Sequence, residues 1–314
     1  MKTQRFLKVA IATAGMLLML HVALAAATIQ MQSRRSASLC TSIKARAALA
    51  ETMGTGKIVL AGGSGVRAGL SAKKISTAID KDVLNFGLHA GLGAPLLLRA
   101  TREVLEPGDS VILFLEYPML FADQWNPVSV EYALGCDPQA LLEVSWRRIG
   151  GALMAAGPWR LWDVVSYEMR GGVLPAQEPG SVYGDRPLET FPPLSASEIE
   201  RVDLYGPERI GVDPESWGAR AVAEFVDWAH ERDIHVSASW PNTMWQPTYV
   251  DEPGFDIVRD FYEGLGVNFF DTPERGLYSR EYFYDTQYHL GPAGIAKRTE
   301  DFIAEMVRSR KYNE

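Results

Sequence analysis

A serine lies in a glycine-rich turn that directly follows a short apolar run. Residues 57–61 read Lys-Ile-Val-Leu-Ala, and the turn after them reads Gly62-Gly63-Ser64-Gly65. Open α/β sheets bind their ligands at the carboxyl ends of the strands, and glycines allow a sharp bend and a close approach of substrate. Ser64 is therefore a candidate nucleophile, although the same pattern also describes a turn without a chemical role.

An acid and a histidine near the other end of the chain supply what a serine nucleophile needs. Asp285 and His289 come just before Gly291-Pro292, a pair typical of a helix start. A serine hydroxyl is a weak nucleophile until an imidazole accepts its proton, and a carboxylate holds that imidazole in the required tautomer. The residues therefore predict a triad of Ser64, His289 and Asp285.

Three separated blocks of the chain resemble the SGNH (GDSL-like) hydrolase family. The blocks are Gly62-Gly63-Ser64, residues 85–91 (Asn-Phe-Gly-Leu-His-Ala-Gly), and Asp285 with His289. The likeness is to the membrane-anchored or periplasmic branch associated with exopolysaccharide and cell-wall acylation. It covers roughly residues 55–117 and 220–308.

The resemblance implies a doubly wound α/β domain and ester chemistry at a serine without a metal or other cofactor. The family places its oxyanion donors at positions that match the backbone N–H groups of Ser64 and Gly91. Each such donor contributes about 3 to 4 kcal/mol to lowering a barrier.

The chain departs from the family pattern at three places. Gly63 stands where the family has an aspartate before its serine, and Asp285 lies four rather than three residues before His289. The family's Gly-x-Asn-Asp block has no counterpart, because the apolar run 111–115 continues into Glu116-Tyr-Pro. One oxyanion donor is therefore unassigned.

The resemblance implies a reaction through an acyl-enzyme, in which His289 takes the Ser64 proton during attack on an ester carbonyl. Water completes the reaction in an esterase, and a glycan hydroxyl completes it in an O-acyltransferase. The expected substrate is a small ester or an O-acyl group, such as O-acetyl, on an extracellular or periplasmic polysaccharide. The alternative is a catalytically silent protein that binds glycan or scaffolds polysaccharide synthesis machinery.

Apolar runs that alternate with helical patterns predict the elements that position these residues. The alternation favours a parallel sheet, and the expected fold is a flavodoxin-like three-layer α/β sandwich with a mainly parallel five-stranded sheet. The predicted strands are residues 57–61, 82–86, 110–115, 234–239 and 267–270. The predicted helices are residues 38–53, 71–79, 94–104, 217–232, 255–264 and 292–308.

Residues 118–216 interrupt this alternation and are too long for a plain loop. We expect an inserted cap over the sheet edge within a single domain of residues 36–314, with a helix at 138–150. Trp125, Trp159 and Trp162 are candidates for stacking on a sugar ring, and packing inside the cap is the other explanation.

Residues 1–35 predict a targeting segment. Lys2, Arg5 and Lys8 precede an apolar run from residue 9 to 29, which is long enough to span a bilayer and also fits a long signal sequence. The basic residues keep that end in the cytoplasm. We expect a retained anchor with the rest of the chain outside the cytoplasm, and cleavage after Ala25 is the alternative.

Composition and the metal-binding residue types exclude some functions. The formal net charge is −8, and residues 1–35 contain five basic residues and no acidic one. The rest of the chain therefore carries a net charge of −13, which argues against binding nucleic acid. The five histidines show no metal-ligand spacing, so no metal site is predicted. Cys40 and Cys136 are the only cysteines, and the sequence leaves open whether they form a disulfide.

Overall fold

The computed structural model describes residues 2–172, 181–188 and 191–312. The chain divides into two compact units. The larger unit comprises Ser42–Asp123 and Glu178–Glu314, and the smaller comprises Met1–Thr41 and Gln124–Gln177. The insertion expected at 118–216 is thus shared between the two units.

The larger unit contains a five-stranded parallel sheet and a smaller two-stranded one. The strands are β1 (Ile58–Gly62), β2 (Val83–Gly87), β3 (Ser110–Phe114), β4 (His235–Ser239), β5 (Thr243–Met244), β6 (Asn268–Phe270) and β7 (Leu277–Tyr278). The five-stranded sheet has the order β2-β1-β3-β4-β6, which confirms the predicted α/β class with a five-stranded parallel sheet. The parallel pair of β5 and β7 was not predicted.

Thirteen α-helices lie in the part of the chain that the structure describes. The helices are α1 (Lys2–Ala27), α2 (Arg34–Met53), α3 (Ser64–Arg67), α4 (Ala72–Ile79), α5 (Gly93–Arg102), α6 (Pro118–Phe121), α7 (Pro127–Gly135), α8 (Trp146–Ala155), α9 (Gly157–Met169), α10 (Ala196–Asp203), α11 (Trp217–His230), α12 (Gly254–Gly264) and α13 (Pro292–Tyr312).

Helices cover both faces of the five-stranded sheet. On one face, Leu60 and Ile112 pack with Ile75 of α4 and Phe302 of α13 in one buried cluster. Alternating strand residues such as Val111 point to the opposite face and are also fully buried; there α5 packs against β1 and α11. Burial on both faces explains why the central strands β1 and β3 are continuous apolar runs, apart from Ser110 at the start of β3.

The strand order places a topological switch point between β1 and β3. Strands β1 and β3 are neighbours, while β2 lies on the other side of β1. In open α/β sheets of this order, ligands bind in the crevice at the carboxyl ends of the strands beside the switch point. Ser64 lies two residues after the end of β1, and Glu116 lies two residues after the end of β3.

In the smaller unit, α1 packs against α8 and α9. The prediction of one helix at 138–150 was wrong, because the chain forms a short 3₁₀ turn at Pro138–Leu141 and α8 begins only at Trp146. Ser145 adopts the extended conformation of a helix N-cap, which ends the first turn and starts a new helix.

Helix α1 is long and apolar enough to be a membrane anchor or a signal sequence. The segment Gln4–Ala27 has 24 residues and a mean hydropathy of 2.1. A bilayer core of about 30 Å requires about 20 apolar residues in a helix, so this segment meets the requirement with a few residues to spare.

Cys40 and Cys136 form a disulfide within the smaller unit, with their Cα atoms 5.5 Å apart. We expect the double variant Cys40→Ser, Cys136→Ser to unfold at a lower temperature. The 96-residue separation corresponds to a destabilisation of about 2 to 5 kcal/mol, because the reduced chain gains freedom in the unfolded state. Circular dichroism melting of the detergent-solubilised chain measures the shift.

Reducing agent provides the control for this prediction. It should lower the wild-type melting temperature to that of the double variant and leave the variant unchanged. Equal melting temperatures for the oxidised wild type and the variant would contradict the stabilising role of the disulfide.

Candidate active site

Ser64 is the first residue of α3, directly after β1 and Gly63. The side chain of Asn85, fully buried in β2, holds the end of this short helix, because its amide donates to the carbonyl oxygens of Val66 (3.2 Å) and Leu70 (3.0 Å). The half-buried Ser64 side chain is thus carried by a rigid turn at the carboxyl edge of the sheet.

Asp285 and His289 form the pair that the sequence predicts. The Nδ1 of His289 lies 2.7 Å from Oδ1 of Asp285. Because an ionised carboxylate can only accept a hydrogen bond, Nδ1 carries the proton and Nε2 is left as the basic nitrogen. Burial by itself would raise the pKa of Asp285, but the hydrogen bond and charge of His289 outweigh it, and the pKa lies below its ordinary value.

Backbone contacts bring the His289 loop beside the Ser64 helix. The amide of Leu290 donates to the carbonyl oxygen of Ala68, one residue after α3, at 2.8 Å. A Cβ built on Gly65 would lie 3.5 Å from the carbonyl oxygen of Tyr288. The side-chain amide of Asn242, three residues after β4, donates to that same carbonyl.

Within the described residues, no hydrogen bond joins the Ser64 hydroxyl to His289, and the Ser64 amide has no partner. Catalytic hydrogen bonds are often longer in ligand-free enzymes and tighten when substrate binds. The site thus combines an oriented imidazole on a loop beside the Ser64 helix with one amide, that of Ser64, that has no partner within the described residues.

The second predicted oxyanion donor is already engaged. Gly91 lies in a short 3₁₀ turn, and its amide donates to Nδ1 of His89 at 2.9 Å. A role for the Gly91 amide in holding an oxyanion therefore requires the exposed His89 side chain to turn away.

Glu116 is the site residue that sequence reasoning missed. Glu116 is 2% exposed, and its carboxylate accepts hydrogen bonds from the amides of Gly63 and Gly65, each at 3.0 Å. These two amides flank Ser64, so the carboxylate clamps the turn that carries the hydroxyl. Burial raises the pKa of Glu116, and the amides of Gly65 and Gly63 and the charge of His289 oppose that shift.

The Glu116 carboxylate occupies the space of a side chain at position 63. A Cβ built on Gly63 would overlap both carboxylate oxygens of Glu116. The carboxylate that contacts this turn comes from Glu116, just after β3. Glycine at position 63 and glutamate at position 116 are therefore complementary.

A second carboxyl group, that of Glu208, lies near Glu116. It accepts hydrogen bonds from the side chains of Gln287 and Tyr288, the two residues before His289. Burial and the negative charge of Glu116 raise the pKa of Glu208 to about 7, against the smaller lowering effect of the Gln287 hydrogen bond. The group thus changes its charge near neutral pH beside the histidine loop.

This pKa predicts a pH-dependent stability. Because the folded pKa is raised above the ordinary value of 4.5, folded Glu208 binds more proton than unfolded Glu208 between pH 4.5 and 7, and stability falls as pH rises through that window. The free energy of unfolding, measured with urea at pH 5 and at pH 7.5, should decrease less between these pH values in Glu208→Gln than in the wild type. The exposed Glu215 offers a control, since Glu215→Gln should keep the wild-type slope; an unchanged slope in Glu208→Gln would contradict the prediction.

A groove of about 730 Å³ opens beside α3 and the start of α13. Its lining includes the cationic side chains of Arg67, Lys73, Lys74 and Arg186, against the single carboxylate of Asp185. Asp185 is itself held by the amides of the first turn of α4, so the remaining charge of the groove is positive.

The predicted sugar-stacking tryptophans lie in the smaller unit. Trp125 donates its indole N–H to the carbonyl oxygen of Arg148 at 2.8 Å, which fits packing inside that unit. Trp162 is 67% exposed, and the side chain of Trp159 lies outside the described residues. No group of three metal-ligating side chains occurs among the residues that the structure describes.

Comparisons of the chain with models of known protein families, with curated proteins and with solved structures found no match. The chemistry of the site is therefore inferred from its own residues.

Proposed function

We propose that this protein is a serine-dependent esterase of the SGNH type that acts on O-acyl groups of an extracytoplasmic polysaccharide. The observation that carries the proposal is the Asp285–His289 hydrogen bond, held next to the Ser64 helix by the backbone bond from Leu290 to Ala68. This arrangement has the nucleophile, base and orienting acid of an acyl-transfer site.

In the proposed reaction, Nε2 of His289 accepts the Ser64 proton while Oγ attacks the ester carbonyl. The Ser64 amide donates to the developing oxyanion, and Asp285 stabilises the imidazolium. The imidazolium then gives its proton to the departing alcohol, which leaves an acyl group on Ser64. A water molecule, deprotonated by the same imidazole, releases the acid.

The second candidate is an O-acyltransferase in which a glycan hydroxyl replaces that water. The same three residues serve both reactions, and the difference lies in what reaches the acyl-enzyme. The open groove beside α3 has room for an extended acceptor, and its positive charge suits a glycan that carries acidic groups.

A catalytically silent, glycan-binding scaffold is the third candidate. It is favoured by the engaged Gly91 amide and by the lack of a direct Ser64–His289 hydrogen bond among the described residues. Under this proposal the site would bind an acylated glycan without cleaving it.

Two features support a location outside the cytoplasm with a retained anchor. The Cys40–Cys136 disulfide is typical of an oxidising compartment. Ala25, at the end of the apolar segment, is buried, and α1 packs against α8 and α9. Cleavage after Ala25 would remove α1 from this packed unit.

Hydrolysis of 4-nitrophenyl acetate by the full chain in detergent tests the proposal. We expect more than one molecule of 4-nitrophenol to be released per molecule of enzyme. If the protein is a transferase, added oligosaccharide should become acetylated at the expense of free acetate. No product above the rate of heat-unfolded protein would exclude the esterase and favour a strict transferase or the scaffold.

A further inference from the structure

The smaller unit exposes large apolar side chains beyond those of α1. They lie on α8, on α9 and on the segment just before α8, which is an unusual density for a surface that faces water. The most exposed are Leu142 (82%), Trp146 (76%), Trp162 (67%) and Met169 (81%).

Helices α8 and α9 pack against the carboxyl-terminal half of α1. His21 Nε2 lies 3.3 Å from the carbonyl oxygen of Met154 in α8. Leu17 and Leu24 of α1 share a small cavity with Leu161 of α9. The two helices therefore lie at the level of residues 17–28 of the apolar segment.

The length of α1 sets the depth of this contact in a bilayer. The 24 residues of Gln4–Ala27 extend about 36 Å at 1.5 Å per residue, close to the hydrocarbon thickness of about 30 Å. With the basic amino terminus on the cytoplasmic side, residues 17–28 lie in the outer half of the membrane and its interface.

One charged side chain of α9 is turned inward. The guanidinium of Arg160, in α9, is buried and bonds the carbonyl oxygens of Thr28 and Met31 and the carboxylate of Glu131. Its charge is thus paired within the unit rather than directed to the surface.

Trp162, Val165 and Met169 are exposed and, at spacings of three and four residues, share one face of α9, while the exposed Glu168 lies in its last turn. An exposed apolar face that carries tryptophan is typical of helices that lie in a membrane interface.

We propose that α8 and α9 lie in the outer interface of the membrane, with Trp146, Trp162 and Met169 in contact with lipid. The partner is the bilayer itself, because α1, which these helices contact, requires one. This inference goes beyond the proposed ester chemistry and depends only on α1 being retained as an anchor. It assigns the smaller unit a second membrane contact besides the spanning helix.

Spin labels on single introduced cysteines test the proposal in vesicles of phosphatidylethanolamine and phosphatidylglycerol. The two native cysteines are paired, so only the introduced thiols react. The variants are Trp146→Cys and Met169→Cys, with Leu18→Cys as the spanning-helix reference. Leu204→Cys is the matched control, because Leu204 is 78% exposed but lies in the α/β unit. Unchanged melting temperatures establish that each labelled variant is folded.

We expect the labels at positions 146 and 169 to be reached by oxygen and shielded from a polar nickel complex, as at position 18. Their accessibility to the nickel complex should be several-fold lower than at position 204. Labels at 146 and 169 that match position 204 while position 18 is shielded would overturn the inference and leave the anchor intact. An accessible label at position 18 would overturn the anchor and the inference together, without bearing on the ester chemistry.

Discussion

Replacing Ser64 or His289 by alanine is expected to lower the rate of 4-nitrophenyl acetate hydrolysis by about 10³-fold or more. Removing either member of a nucleophile–base pair abolishes the shared proton transfer, and triad residues act as a unit. The double variant should therefore be no slower than the single ones. Steady-state kinetics on detergent-solubilised protein measures the three rates.

The matched control for His289 is His230, an exposed histidine at the end of α11. His230→Ala should keep the wild-type rate, since no ester chemistry is assigned to it. A Ser64→Ala variant that is folded by circular dichroism and retains most of the activity would show that another group is the nucleophile.

Glu116→Ala and Gly63→Asp are each expected to lower the esterase activity strongly, and combining them is expected to restore part of it. Glu116→Ala leaves the amides of Gly63 and Gly65 without their acceptor and frees the Ser64 turn, and misplacement by about 1 Å costs roughly 10²-fold in rate. Gly63→Asp alone should be as damaging, because its side chain overlaps Glu116.

The double variant Gly63→Asp, Glu116→Ala should recover part of the activity, because the new aspartate enters the space that Glu116 vacated. The backbone permits this, since the φ of Gly63 is −77°, which any residue adopts. Activity is read as kcat and KM, and a positioning role predicts a change mainly in kcat. A double variant whose loss is the sum of the two single losses would contradict the exchange, and Glu103→Ala on the exposed surface serves as the control.

The strands and helices of the α/β unit could be predicted from the sequence, because each follows from a local pattern of apolar and capping residues. Strand β1 is apolar throughout and β3 is apolar after Ser110, and Ser71, at the start of the predicted helix 71–79, caps α4 by accepting the amide of Lys74. The smaller unit was less readable. Its helices α8 and α9 begin after Ser145 and at a Gly-Pro pair, inside a stretch whose apolar residues face α1 and the exterior rather than one core.

The site was readable where its partners are near in sequence. Asp285 and His289 are four residues apart, so their hydrogen bond follows from a short loop. Glu116 was missed because its contacts with Gly63 and Gly65 join the ends of two strands more than fifty residues apart. Its only sequence signal was an acid directly after a buried strand. The hydrogen bond from the Gly91 amide to His89 was not predicted, because its acceptor is a side-chain nitrogen rather than a backbone carbonyl of the turn.

Labelling with a serine-directed fluorophosphonate, followed by peptide mapping, tests the central claim most directly. A phosphonate attaches stably only to a serine whose hydroxyl is activated by a neighbouring base. We expect one label per chain, on Ser64, and a labelling rate at least about 10²-fold lower in His289→Ala. Folded wild-type protein that takes no label, or takes it on another serine, would contradict the assignment of Ser64 as the nucleophile.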